Sequence, residues 1–217
     1  MTSKLSDSIN AEKALIFRNI HCRNLQWVAN NGLHCGNSTM RSPSWKSIGN
    51  AELIQKRATY PINHARGGYI NDYVPFYFTP RSPMLLNIKT GYRGVEQHTN
   101  EDILVLVTSL HELVRRQIPF LFTESHANGA VARFYDQLTD LHRIDWAVLQ
   151  NSDFKSDAND PRKMDRYQAE TLVDKHCPFE AIRGIGCYNE KSAEYVRGIL
   201  GTVGHIPKVL KTPGWYF

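Results

Sequence analysis

The chain has 217 residues, 41% hydrophobic and 11% aromatic, enough apolar material for one packed core and little for a second. Charged residues make up 22%, with a formal net charge of +5 and a pI near 9.0, an excess that permits a polyanionic partner without demanding one. These figures exclude a disordered or fibrous chain, and no apolar run approaches the roughly 20 residues that a membrane helix needs.

The polar stretch Met1 to Asn10 lacks the apolar centre of a secretory signal, so the chain reads as cytosolic. Asn10 is a candidate cap for a short helix over Ala11 to Phe17. Ile20 to Leu25 reads as extended or turning. Asn24 to Asn31 fits a helix, with Leu25, Val28 and Ala29 on one face and Gly32 as its stop. Leu33 to Ser38 is a short strand or loop. Met40 to Gly68 is long, polar, aromatic and rich in turn residues, with a helical turn at Ala51 to Arg57; such irregular segments in compact domains are often functional.

Tyr73 to Thr79 is the first strong strand, with Phe76 and Phe78 on the core face and Tyr77 on the other. Ser82 caps a helix that begins at Pro83 and runs to Asn87. Strands follow at Ile103 to Thr108 and Phe120 to Thr123, separated by a short helix or turn at His111 to Gln117. Glu124 to Asn128 is a turn. Ala130 to Leu141 reads as a helix, on the spacing of Phe134, Leu138 and Leu141. Asn151 to Lys163 is a charged loop. Order resumes over Asp165 to Val173, with apolar positions at Ala169, Leu172 and Val173. A strand at Ile182 to Tyr188, a helix at Ser192 to Leu200, and extended chain at His205 to Leu210 and Trp215 to Phe217 complete the reading. Strands and helices interleave without regular βαβ units, which predicts an α+β fold with a mostly antiparallel or mixed sheet, as one domain over residues 1–217.

Familiar catalytic signatures are absent: there is no phosphate-binding GxxxxGK[ST], GxGxxG, GxSxG or HExxH. Histidines are scattered, and Cys22, Cys35, Cys177 and Cys187 form no CxxC pair, so free thiols and no metal cofactor are expected. On composition alone Glu170 reads as an exposed glutamate, Arg57 as a solvated surface charge and His126 as a turn histidine.

Four segments in order change that reading: Asn31-Gly-Leu33, Val74-Pro-Phe-Tyr-Phe-Thr-Pro-Arg-Ser-Pro-Met84, Phe122-Thr-Glu-Ser-His-Ala127 and Tyr167-Gln-Ala-Glu170. Together they resemble the DarT family of DNA ADP-ribosyltransferase toxins, over about Ile16 to Phe217. The resemblance implies an ADP-ribosyltransferase fold, with two sheets enclosing an NAD⁺ cleft. It also implies transfer of ADP-ribose from NAD⁺ to a base, typically thymidine, in single-stranded DNA, and a DarG-like macrodomain antitoxin as partner.

By the same resemblance Glu170 matches the catalytic carboxylate, whose charge would stabilise the centre formed as the nicotinamide bond breaks. Arg57 matches an arginine acting near base and cofactor, and His126 a cleft histidine. His21, Asn24, Tyr77, Ser82 and Met84 fall among the NAD⁺-binding positions. Family members commonly carry a histidine where this chain has Arg18; an arginine there can pair with the pyrophosphate or a ribose. The loop before Glu170 holds Lys155, Arg162, Lys163 and Arg166 with Phe154 and Tyr167, suited to the phosphates and bases of a single strand. Asp153, Asp157, Asp160 and Asp165 cancel that charge, so a solvated loop is the other reading. An ADP-ribosyltransferase acting on RNA or protein, and a nucleic-acid-binding module without catalysis, are the competing functions.

Overall fold

The computed structural model describes residues 5–129 and 131–217. An eight-stranded sheet dominates it. In chain order its strands are β1 (Leu15–His21), β3 (Tyr73–Tyr77), β4 (Ile103–Ser109), β5 (Phe120–Thr123), β6 (Phe134–Tyr135), β7 (Glu170–Asp174), β9 (Gly184–Cys187) and β10 (Lys208–Lys211). Their order across the sheet is β10-β9-β4-β1-β3-β7-β5-β6. Only β10 and β9 run parallel; the remaining pairs are antiparallel. Two short strands, β2 (Leu33–His34) and β8 (His176–Cys177), form a second antiparallel ladder. The α+β class and the mixed sheet are as the sequence predicts.

The sheet is really two halves. β1 and β4 pair along seven residues and β3 and β7 along five, but β1 and β3 meet at one register pair, Phe17 with Tyr77. Beyond that pair the strands diverge and leave a gap between the halves. β4 (Ile-Leu-Val-Leu-Val-Thr-Ser) is buried along its whole length, as expected of a β-branched run covered on both faces. One core cluster joins Ile16, Ile20, Leu104 and Leu106 to Phe76, Phe78 and Phe122, spanning both halves.

Helices seat on this frame. α1 (Leu25–Asn31) ends at Gly32, whose φ is 73°; a Cβ there would lie 2.4 Å from His176 Nε2 and 2.7 Å from the Cys177 carbonyl. Only glycine lets the chain turn this tightly onto β8. α2 (Ala51–Ala58) is capped by Asn50, and α3 (Pro83–Thr90) by Ser82, with Gly91 in the left-handed region at its end. α4 (Leu110–Arg115), α5 (Trp146–Asn151) and α6 (Lys163–Tyr167) are short. α7 (Glu190–Leu200), capped by Asn189, buries Ala193, Val196 and Leu200. Among the described residues no helix is long and apolar enough to cross a membrane, and all four cysteines are free.

Two predicted helices are corrected. Ala11 to Phe17 is a turn followed by β1: Asn10 caps only that turn, accepting from the Lys13 N–H at 2.9 Å. Ile16, Phe17 and Ile20 find full burial in the sheet, and this tertiary pairing outweighs a weak local helix signal. Ala130 to Leu141 is β6 followed by a 3₁₀ segment at Leu138–Arg143, because Tyr135 packs on Phe122 as the sheet's edge; Ala130 itself lies outside the described residues.

Glu112 on α4 anchors one corner. Its carboxylate accepts from Arg115, Arg116 and Arg183 at 2.5, 2.5 and 3.2 Å, and these partners hold its pKa down at about 2. A depressed folded pKa gives stability above the ordinary carboxylate value that is lost as pH falls toward 2. Glu112→Gln should therefore destabilise the fold at neutral pH by about 1–2 kcal/mol, two of the three arginines being solvent-exposed and their pairs screened. Denaturant titrations should show the gap between wild type and variant closing steadily below pH 4.5.

Candidate active site

A cleft of about 800 Å³ opens where β1 and β3 diverge. Arg18 and Asn19 of β1 and Tyr77 of β3 line it, with Arg57 of α2, Trp45 in the segment before α2, and the loop around His126. Arg18 bridges the divergence: its Nη1 donates to the Pro75 carbonyl at 2.7 Å.

The floor of the site is a buried ion pair. Glu170, the first residue of β7, has no solvent-accessible surface, so the exposed glutamate suggested by composition is not what the fold makes. Register sets it beside Tyr77 on β3. Arg57, in the last turn of α2 and only 6% exposed, donates from Nη2 to Oε2 at 2.8 Å and from Nη1 to Oε1 at 3.3 Å. The Ala127 N–H donates to Oε1 at 3.0 Å. Thr123 Oγ1 accepts from the Glu170 N–H at 3.3 Å and donates to the Ser125 carbonyl at 2.5 Å, folding the 123–127 loop around the carboxylate. α2 is held in turn by Asn71, whose Nδ2 donates to the Ile54 carbonyl at 2.8 Å.

Charge states follow from this packing. Burial opposes ionisation of Glu170, but Arg57, His126 and the Ala127 N–H more than offset it, and its pKa lies below the usual carboxylate range. Burial lowers the His126 pKa, with Arg57 adding to the effect and Glu170 opposing it. Burial and the neighbouring Glu170 push the Tyr77 phenol up to about 12. Burial brings Arg18 down to about 10, so it still carries its charge at neutral pH.

The structure gathers Arg57, Glu170, His126, Tyr77 and Arg18 into one site, and Asn24 and Met84 also line the cleft. Asn24 works as a clamp: it donates to the Lys46 carbonyl at 2.8 Å and accepts from the Lys46 N–H at 2.9 Å, fixing the loop before α2. Tyr77 Oη lies 3.9 Å from the Met84 sulfur. His21 and Ser82 are buried and do not line the cleft: His21 Nδ1 accepts from the Arg23 N–H at 3.1 Å, and Ser82 caps α3.

The loop before Glu170 is more internally satisfied than its composition suggests. Tyr167 is buried and donates to the Arg81 carbonyl at 2.9 Å, and Phe154 packs against it with ring centroids 4.9 Å apart. Lys163 pairs with Asp153 and Asp157, and Arg166 with Asp145 and Asp160. Lys155 and Arg162 are exposed, Arg162 standing 3.6 Å from Asp165. The face turned to the cleft is Pro161, Met164, Asp165 and Gln168.

Asn19, Trp27, Trp45 and Asn128 line the cleft without having been singled out from sequence. The Asn19 Oδ1 and both amide atoms of Asn128 are buried without a hydrogen-bond partner. The aromatic content of the irregular 40–68 stretch was the available signal for Trp45.

A family model described as "ssDNA thymidine ADP-ribosyltransferase, DarT" matches residues 17–217. The chain is 45% identical, over the full length of both proteins, to a DNA ADP-ribosyl transferase of Escherichia coli O127:H6 (strain E2348/69 / EPEC). The chain belongs to the DarT family. Its activity is that of the family, transfer of ADP-ribose to thymidine in single-stranded DNA. Its fold matches Thermus sp. 2.9 DarT in complex with ADP-ribosylated ssDNA with a TM-score of 0.87, at 34% identity over 95% of this chain and 97% of that one. The same Thermus protein in complex with NAD⁺ matches with a TM-score of 0.80 at 33% identity, over 94% and 98% of the two chains.

Removing one member of a buried ion pair leaves the other charge uncompensated, at a cost of about 3–5 kcal/mol. Arg57→Met should cost that much in urea denaturation. Adding Glu170→Gln to it should restore more than half of the loss. If the double variant is as unstable as the sum of the two single variants, the pair is not energetically coupled.

Proposed function

We propose that Glu170, Arg57 and His126 carry the transfer of ADP-ribose from NAD⁺ to thymine in single-stranded DNA, with release of nicotinamide. The observation that carries this reading is a fully buried carboxylate held by an arginine at the base of a large cleft. The cleft fits a dinucleotide: Arg18 Nε, Asn19 Oδ1 and the Asn128 amide are buried polar atoms without protein partners. Arg18 is suited to the pyrophosphate, and Asn24, Tyr77 and Met84 to the walls of the co-substrate's path. His21 and Ser82 position those groups from beneath.

The charge states divide the work. Glu170 remains anionic, so its role is electrostatic: it stabilises positive charge developing on the ribose as the bond to nicotinamide breaks and the leaving group takes the electron pair. That leaves the proton of the thymine ring to a second group. His126, neutral at physiological pH because burial disfavours its charged form, is the better acceptor for the thymine ring N–H proton as that nitrogen bonds to the ribose carbon. Arg57 covers Glu170 in this state. Turning toward substrate, it bares the carboxylate and offers two donors to a phosphate or a thymine carbonyl. The resemblance to DarT supports a DarG-type macrodomain as the antitoxin partner.

Glu170→Gln preserves shape and removes the charge. Loss of one preorganised electrostatic group costs on the order of 10²–10³ in rate. Mass spectrometry of a thymidine-containing oligonucleotide incubated with NAD⁺ should show at least that loss, and the variant should express freely in cells where wild type arrests growth. Near-wild-type product, or equal toxicity of the two chains, would remove Glu170 from the chemistry.

For DNA contact the loop offers Lys155 and Arg162, its exposed cations. Reversing both should weaken oligonucleotide binding and flatten its salt dependence by about 0.7 per lost phosphate contact. Lys163→Glu should instead loosen the loop, since it breaks the pairs with Asp153 and Asp157. An unchanged salt slope in the Lys155/Arg162 variant would move the strand's path away from this loop.

A further inference from the structure

We propose that His21, Cys22 and Asp102 form a binding site for a transition-metal ion of the zinc type, outside the catalytic cleft. The sheet register creates the cluster. His21 ends β1 and pairs with Ile103, the first residue of β4, so the next step outward sets Cys22 beside Asp102. One ligand atom from each of the three lies within 4.8 Å of the others. The His21 Nδ1 to Cys22 Sγ distance is 3.7 Å. Tetrahedral zinc, with ligands at about 2.0–2.3 Å, needs neighbouring ligand atoms roughly 3.3–3.8 Å apart. That edge is already formed, and closing the remaining ones takes movements of about 1 Å.

A second observation points to the same place. The His98 side chain is 7% exposed, and its Nε2 is buried without a hydrogen-bond partner. Its ring stands edge-on to that of His21, with centroids 5.0 Å apart. Glu96 lies 4.0 Å from this nitrogen. The His98 nitrogens stand outside the 4.8 Å group, so His98 would become a fourth ligand by turning its ring onto the ion. Asp102 is already oriented: its Oδ2 accepts from the Thr99 hydroxyl at 2.6 Å and the Thr99 N–H at 3.1 Å, and hydrogen bonds of this kind fix a carboxylate ligand.

The donor set of imidazole nitrogen, thiol sulfur and one carboxylate oxygen suits zinc or cobalt and is poor for magnesium or calcium. Binding has two costs. His21 Nδ1 must exchange its bond from the Arg23 N–H for the ion, and the Cys22 thiol must release one proton to become a thiolate. The gain is a link between the ends of β1 and β4. That link sits two residues before Asn24, whose clamp on Lys46 fixes the loop at the cleft.

Cobalt(II) added to the reduced full-length chain tests the site. A thiolate-to-cobalt charge-transfer band saturating at one ion per chain is expected. Cys22→Ser should abolish the band, and His98→Ala should weaken affinity about 10-fold or more. Zinc should raise the melting temperature of wild type and leave that of Cys22→Ser unchanged. If Cys22→Ser does not fold, Asp102→Asn should show the same loss of affinity. No band, a band that survives Cys22→Ser, or an equal zinc shift in wild type and Cys22→Ser would overturn the proposal.

Discussion

A carboxylate with no contact to solvent has to be compensated, and the compensation of Glu170 organises everything near it. The idealised cost of burying an isolated carboxylate far exceeds the net stability of a domain this size. Arg57, the Ala127 N–H and the aspect of His126 meet that cost together. Each of these groups is then fixed by something else. Arg57 requires α2, which requires the Asn50 cap and the Asn71 side chain. The Ala127 N–H requires the tight turn that Thr123 folds through its bonds to Ser125 and Glu170. A polar segment, a capped helix and a strand end are thus bound to one another by a single charge.

The second constraint is the incomplete pairing of β1 and β3. A continuous sheet would have satisfied more backbone groups, yet these strands share one register pair. Where the ladder stops, side chains take over: Arg18 donates to the Pro75 carbonyl, and Tyr77 turns its phenol toward the gap. Pro75 cannot donate to a ladder, which suits it to a strand whose neighbour has moved away. The cleft is therefore a consequence of strand sequence, and its walls already carry donors and acceptors where the backbone pairing fails.

Much of this was readable from the chain, and the failures have a common cause. β4 and α7 announce themselves by a buried β-branched run and by helical spacing. Ser82 and Gly32 mark ends that the structure keeps. The Tyr73 to Thr79 alternation correctly set Phe76 and Phe78 in the core and Tyr77 on the opposite face, which the structure turns to the cleft and not to solvent. β1 was misread as part helix, because the strand's partners lie at least 60 residues away and leave no trace in the local pattern. Glu170 shows the limit most sharply. Nothing local distinguishes a buried glutamate from an exposed one, since its burial is decided by an arginine 113 residues earlier. Only the resemblance of whole segments carried that information.

Charge placement teaches the same lesson. The loop before Glu170 is basic by composition, but folding commits much of that charge internally: Lys163 and Arg166 each meet two aspartates, and Phe154 and Tyr167 pack against each other. These pairs hold together the segment that leads into Glu170. A loop of free lysines would attract a polyanion more strongly but would hold no shape. Part of the formal excess of +5 stands elsewhere: Arg18, Arg41, Lys46 and Arg93 all line the cleft. Arg41 is tied to the Gly36 carbonyl and Lys46 to Glu96, so even these are oriented rather than free. Cationic side chains thus gather around the cleft, while the loop keeps Lys155 and Arg162 exposed beside its internal pairs, and a count of basic residues along the sequence cannot show which charges folding commits internally.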